Sequence, residues 1–410
     1  MSLSHHLGRM VGRDPNEPHR TATPLELLFD LVFVVAFSQI GSQAAHYLEL
    51  GHVSTALTGL AFSTFAVAWA WVNYSWLASA YDTDDAFFRI ATLVIMVGVL
   101  IVALGVPDVF HSVDEGHIFD NTVMVAGYVV MRVATIALWI RAARHDEKRR
   151  RTCIAYAVNV SIAQVGWIAL IFLNLPLGIT LVLTTLLSLF ELAGPYFAEK
   201  RYGPTPWHPH HIAERYGLLV IITLGEVILG TILAISAVIE EYGWSLEAGL
   251  VAFGGTALAF GLWWSYFVLP FGKVLEHHRW RGFPWGYLHL FIFGSLVAVG
   301  AGLHVAANVI TDHAHVDATF AVLCIAIPVL VYETFLFGIY AITVMQFDPF
   351  HIWLYLGSVA ALVASVVAVS LGASMGTALL LIACAPAVVV VGYEAVGWRH
   401  VAAMLERATR

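Results

Sequence analysis

Apolar residues run along this chain in twelve long windows, near residues 24–46, 54–78, 86–106, 119–141, 152–173, 177–197, 213–238, 246–269, 285–309, 318–343, 350–371 and 376–396. Short polar stretches separate them. A helix needs about 20 mainly apolar residues to cross the hydrocarbon core of a bilayer, and each window is of that order. The pattern therefore predicts an all-α, polytopic membrane protein with about twelve transmembrane helices.

Composition agrees. Of 410 residues, 60% are hydrophobic and 12% charged, and the mean hydropathy is +0.80; a soluble domain is about a quarter charged. The opening MSLSHHLGRMVGRDPNEPHR is polar and has no apolar core, so it reads as no cleavable signal, and the first span is expected to direct insertion. Cys153, Cys324 and Cys384 are widely spaced and read as free core cysteines. The net charge of −8 says less than its distribution. Lys and Arg gather at Arg9, Arg13 and Arg20, at Arg141, Arg144 and Lys148 to Arg151, at Lys200 and Arg201, at Lys273, Arg279 and Arg281, and at Arg399, Arg407 and Arg410. The alternate loops carry Asp108, Asp114, Glu115, Glu240, Glu241, Asp312 and Asp317 with no Lys or Arg. The positive-inside rule then puts both termini in the cytoplasm.

Similar features recur about 188 to 203 residues apart. Glu26 opens the first span and Glu214 the seventh; Arg89 corresponds to His289, Arg132 to Glu333 and Glu191 to Glu394. Six is an even number, so two such halves would be parallel repeats, an arrangement known in transporters. The expected organisation is a segment 1–20, a six-helix repeat 21–198, a loop 199–212, a second repeat 213–397 and a tail 398–410.

Ionisable residues inside the membrane are costly and tend to mark ion or substrate pathways. Glu26 and Asp30 stand four residues apart and share a face of the first span. Gln39, Gln43 and His46 fall on the other side, so protein is expected to surround this helix. Glu226 lies near the middle of the seventh span and is the favoured proton or cation site. His289 and His304 share a stripe in the ninth span and suit a proton relay. Arg132 and Glu333 are natural partners if the halves pack face to face, and Glu191 completes the interior set. Each has a plain alternative: a cap at the helix terminus for Glu26, a packed protonated acid for Glu226, satisfied core histidines for His289 and His304.

The loop YDTDDAFFR holds Asp82, Asp84, Asp85 and Arg89, acids of unexpected sign on a basic side. Together with TPLELLFDLVFVVAFSQI and ERYGLLVIITLGEVILG it resembles the signature segments of the bacterial low temperature requirement protein A (LtrA) family, over nearly the whole chain. The resemblance implies a multi-span protein of the bacterial inner membrane, of undefined biochemistry, and assigns no catalytic role. A weaker similarity, to channels built from six-span units with Arg-x-x-x-Phe-Ser-Asp on the first helix, lacks the arginine and the serine here.

Enzyme motifs are thin. Gly372 to Gly376 matches Gly-x-Ser-x-Gly, but a nucleophile elbow needs a strand before it. HPHH at 208–211 is interrupted by Pro209, and no zinc or phosphate-binding motif follows. The expectation is no enzyme, no metal, no cofactor and no nucleic-acid partner. It is instead a transporter or channel for a small solute or cation, proton-coupled or proton-gated, in contact with lipid. A lipid-modifying membrane enzyme and a non-transporting scaffold are the rival readings.

Overall fold

A computed structural model describes residues 7–18, 20–345 and 349–402; Arg407 and Arg410 of the basic tail lie outside them. The described residues form α1 (Pro24–Glu49), α2 (Val53–Tyr81), α3 (Ala86–Leu104), α4 (Val106–Glu115), α5 (Thr122–His145), α6 (Arg150–Leu173), α7 (Leu177–Tyr202), α8 (Pro209–Tyr242), α9 (Leu246–Phe267), α10 (Phe271–His277), α11 (Gly282–Ile310), α12 (Ala318–Val344), α13 (Pro349–Ser370) and α14 (Met375–Gly392). Twelve helical stretches among them are long and apolar enough to span a membrane, with α3 and α4 forming one and α9 and α10 another. No strand occurs among the described residues, only an isolated bridge between Ile118 and Pro176.

Local chemistry sets the helix ends. Thr23 and Glu26 form a capping box at α1: Glu26 accepts from the Thr23 N–H at 2.8 Å and donates its own N–H to the Thr23 hydroxyl at 3.3 Å. Pro24 takes the first helical position, where no N–H is needed. Asp85, Ser245 and Asp317 cap α3, α9 and α12 through side-chain oxygens. Ser374 caps α14 by accepting from the Thr377 N–H. The Gly-x-Ser-x-Gly match is thus an interhelical turn, with Gly372 at φ +93° where a side chain would be strained.

The chain divides into two compact units, residues 1–39 with 66–215 and residues 40–65 with 216–410. In the first, α3 packs on α5, α5 on α6 and α6 on α7. The α3–α5 crossing is close because Gly98 and Gly127 face each other's backbone: a Cβ on Gly127 would lie 2.7 Å from the Gly98 carbonyl oxygen. Small residues of this kind let membrane helices approach. In the second unit α11 packs on α12, α12 on α13, α13 on α14 and α9 on α14.

Two expectations need correction. The α1 helix is not wrapped all round by protein, since Leu27, Leu28, Leu31 and Val35 are exposed. Of the three cysteines only Cys153 is buried; Cys324 is half-buried and Cys384 exposed. The apolar pattern could not separate lipid-facing positions from core ones, because lipid and core are equally apolar.

Candidate functional site

The ladder Glu26–Asp30 at the start of α1 meets a second ladder of the same spacing, His211–Arg215, at the start of α8. All four side chains are buried. An NH2 of Arg215 donates to Asp30 Oδ1 at 2.6 Å and to Ser75 Oγ at 3.2 Å. Its other terminal nitrogen lies 3.6 Å from Glu26 Oε1, and its guanidinium sits 5.6 Å from the Trp71 ring centroid. Trp71 Nε1 donates to Asp30 Oδ1 at 2.7 Å. His211 Nε2 lies 3.1 Å from Glu26 Oε1. Facing a carboxylate, that nitrogen carries a proton, so in the neutral ring Nδ1 is the acceptor.

Arg20, from the segment before α1, extends the cluster. Its NH2 is 3.6 Å from both Glu26 Oε1 and Asp82 Oδ2. The site thus gathers three buried carboxylates (Glu26, Asp30, Asp82), two buried guanidiniums (Arg20, Arg215) and one buried imidazole (His211). At its rim Glu17 pairs with Arg13 at 2.7 Å, and Glu214 is exposed. Asp30 Oδ2, Arg215 Nε and His211 Nδ1 are buried with no hydrogen-bond partner among the described residues. Polar atoms in that condition are costly and scarce in native proteins.

Each acid of the YDTDDAFFR loop has its own cation. Asp82 faces Arg20. Asp84 takes a two-point contact from Arg89, at 2.8 and 2.9 Å. Asp85 takes one from Arg141, caps α3 at the Phe88 N–H and accepts the Gly8 N–H. The loop lies outside the spans, and its environments differ. Burial pushes Asp82 up, and the neighbouring Glu26 adds to that, so it reaches about 6 against the pull of the Asp84 N–H and Arg20. Burial also raises Asp85, but the hydrogen bond and charge of Arg141 and the Phe88 N–H outweigh it and hold the group at about 2.

The other interior residues form separate groups. Arg132 donates to Glu191 Oε2 at 2.6 Å, rather than forming the pair with Glu333 expected from the sequence. The indoles of Trp69 and Trp167 donate to the two Glu191 oxygens, both at 2.7 Å. The buried pair is therefore well supplied with donors. Glu333 is buried and accepts from Ser358, and its second oxygen has no partner among the described residues. His289 is enclosed by Tyr216, Trp285 and Phe293. Its Nδ1 faces the Trp285 carbonyl at 2.7 Å and so donates, leaving Nε2 to accept from Tyr266 at 2.9 Å. Glu226 is buried where α8 passes α11: a Cβ on Gly300 would lie 2.8 Å from the Glu226 Cβ, and one on Gly41 would lie 3.3 Å from its Oε2. His304 lies one turn beyond Gly300 against Gly230, half-buried, its Nε2 without a hydrogen-bond partner among the described residues. Among the described residues no three His, Cys, Asp or Glu side chains gather closely enough to hold a metal ion.

The sequence pattern singles out Glu26 and Asp30 as interior acids, but it offers Arg20 and Arg215 only as basic flanking residues, His211 only as part of HPHH and Trp71 only as a repeat feature, and it matches Glu26 with Glu214 as a repeat counterpart. The signal was present as two i, i+4 ladders of opposite charge, each just inside the start of a span.

The sequence profile described as "Bacterial low temperature requirement A protein (LtrA)" matches residues 21–386. An uncharacterized protein of Rhizobium meliloti (strain 1021) is 28% identical over 268 residues, which cover 62% of this chain and 60% of that protein. The chain thus aligns with less than two thirds of that relative.

Proposed function

The chain belongs to the bacterial low temperature requirement A family, and on that premise we propose that it moves a small solute or cation across the bacterial cytoplasmic membrane with proton coupling. The observation that carries this reading is the charge count of the buried cluster. Three carboxylates stand against two guanidiniums, so with His211 neutral the cluster holds one net negative charge; one bound proton makes it neutral. Burying net charge is far costlier than burying a balanced set. Occupancy by a single proton, or by a monovalent cation in its place, is thus the favoured state. His211 Nδ1, Asp30 Oδ2 and Glu26 Oε1 are the seats for that proton, since all three are buried acceptors without a hydrogen-bond partner among the described residues.

Glu226 supplies a further buried carboxyl, apart from this cluster, beside the close passage of α8 and α11. The like packing order in the two halves supports a parallel six-helix duplication: α3–α5, α5–α6 and α6–α7 in one, α11–α12, α12–α13 and α13–α14 in the other. The basic loops support cytoplasmic termini.

The test is purified protein in liposomes enclosing a pH-sensitive dye, challenged with a panel of monovalent cations and small organic ions. Wild type is expected to couple dye signal to one of them. Asp30→Asn keeps acceptors for Trp71 and Arg215 but removes the charge, so it should leave substrate movement independent of pH. If wild type gives no flux across the panel, or Asp30→Asn and Glu226→Gln both leave the pH dependence intact, the reading is wrong.

A further inference from the structure

A second feature, independent of the proposed function, lies on the outer face of the first unit. Residues Arg151, Ile154, Ala155, Val158, Asn159 and Ile162 follow one stripe of α6, and Phe190, Ala193, Gly194, Phe197, Ala198 and Arg201 follow one stripe of α7. Both stripes have the spacing i, i+3, i+4, i+7, i+8, i+11 of a single helix face. The helices run antiparallel, so the start of α6 and the end of α7 bring Arg151 and Arg201 to the same end of the cleft between them. The cleft has a volume of about 990 Å³. Its apolar walls are exposed at Ile154, Val158, Ile162, Phe190 and Phe197. Neither arginine has a carboxylate partner among the described residues; Arg201 lies only over the neighbouring Tyr202 ring.

We propose that this cleft binds an anionic phospholipid, its phosphate held between Arg151 and Arg201 and an acyl chain lying along the apolar stripes. The lengths agree. Eleven residues of helix rise roughly 16 Å, close to half of the roughly 30 Å hydrocarbon core, so the stripe is one leaflet deep with its cations at the headgroup level. The charges agree as well. A basic pocket at one end of a transmembrane groove is how lipid phosphates are recognised, and arginine matches a phosphate with paired donors. A second copy of the chain suits the cleft less well. A twofold contact places the same patch against itself, which would bring four unpaired arginines together at one depth.

The experiment is thermal unfolding of the full-length protein in detergent, titrated with phosphatidylglycerol, phosphatidylcholine or inorganic phosphate. Phosphatidylglycerol is expected to raise the melting temperature at concentrations where the other two do nothing. Arg151→Gln with Arg201→Gln should lower the preference for phosphatidylglycerol over phosphatidylcholine roughly 30-fold, each arginine contributing about fivefold. Val158→Trp fills the groove without touching either arginine and should weaken lipid binding while leaving the melting temperature without lipid unchanged. Equal stabilisation by both lipids, stabilisation by inorganic phosphate alone, or unaltered preference in both variants overturns the proposal. So does a disulfide between copies carrying Ile162→Cys that forms equally with and without phosphatidylglycerol.

Discussion

At the scale of single residues, the cluster at the start of α1 and α8 is held by a few bonds that cannot be removed one at a time. Asp30→Ala strips Arg215 of its closest partner and leaves a guanidinium in the interior. Breaking a buried pair in this way costs about 3–5 kcal/mol, to be read as a lower melting temperature in detergent, whereas Asp30→Asn should cost much less. Glu191→Leu should behave as Asp30→Ala does, because Arg132 and the indoles of Trp69 and Trp167 all lose their acceptor. The loop acids give a pH signature of two opposite signs. Asp85, held at about 2, contributes stability that is complete above its unfolded value and is lost as pH falls toward 2. Asp82, raised to about 6, works the other way: the folded state favours its protonated form, so stability declines as pH rises from its unfolded value through 6. Melting curves between pH 4 and pH 7 should therefore flatten in Asp82→Asn, while the loss of stability below pH 4 should shrink in Asp85→Asn.

At the scale of helices, close packing makes its own demands. Gly300→Ala would drive a Cβ against the Glu226 Cβ and backbone. Overpacking of that kind costs about 1–3 kcal/mol, while Gly338→Ala, with nothing within 4 Å of the new atom, should be neutral or slightly stabilising; parallel melts of the two variants test this. Helices were also what the sequence disclosed best. The twelve apolar windows and the membrane-buried Arg132 stand out in the chain because hydropathy is a local property. Partners are not local. Arg132 and Glu191 lie 59 residues apart, and nothing in either helix says which neighbour its polar face meets. Helical phase was the other obstacle. Glu214 and Arg215 are adjacent and differ by about 100° around α8, which turns Arg215 into the interior and leaves Glu214 exposed. With polar groups on both sides, the pattern alone could not choose between them.

At the scale of the whole molecule, the charge asymmetry of the loops predicts a testable orientation. Single cysteines placed at Lys148 and at Lys273 should react with a membrane-impermeant thiol reagent only after the membrane is opened, and cysteines at Asp114 and Asp312 should react in intact cells. The same logic covers the acidic loop after α2. Three acids on a basic side look anomalous until each is matched to Arg20, Arg89 or Arg141.

The two ladders also impose a timetable on biosynthesis. Trp71 is 41 residues beyond Asp30, but Arg215 is 185 residues beyond it. At roughly 5–20 residues per second of elongation, the indole emerges within seconds, and the guanidinium only after roughly 10–40 s. Through that interval the nascent first hairpin has Arg20 beside Glu26 but only the Trp71 indole for Asp30. The protein-conducting machinery has to shelter α1, or leave its start in water, until α8 is made. Closure of this cluster thus waits for synthesis of residue 215, and any condition that slows elongation lengthens the exposure.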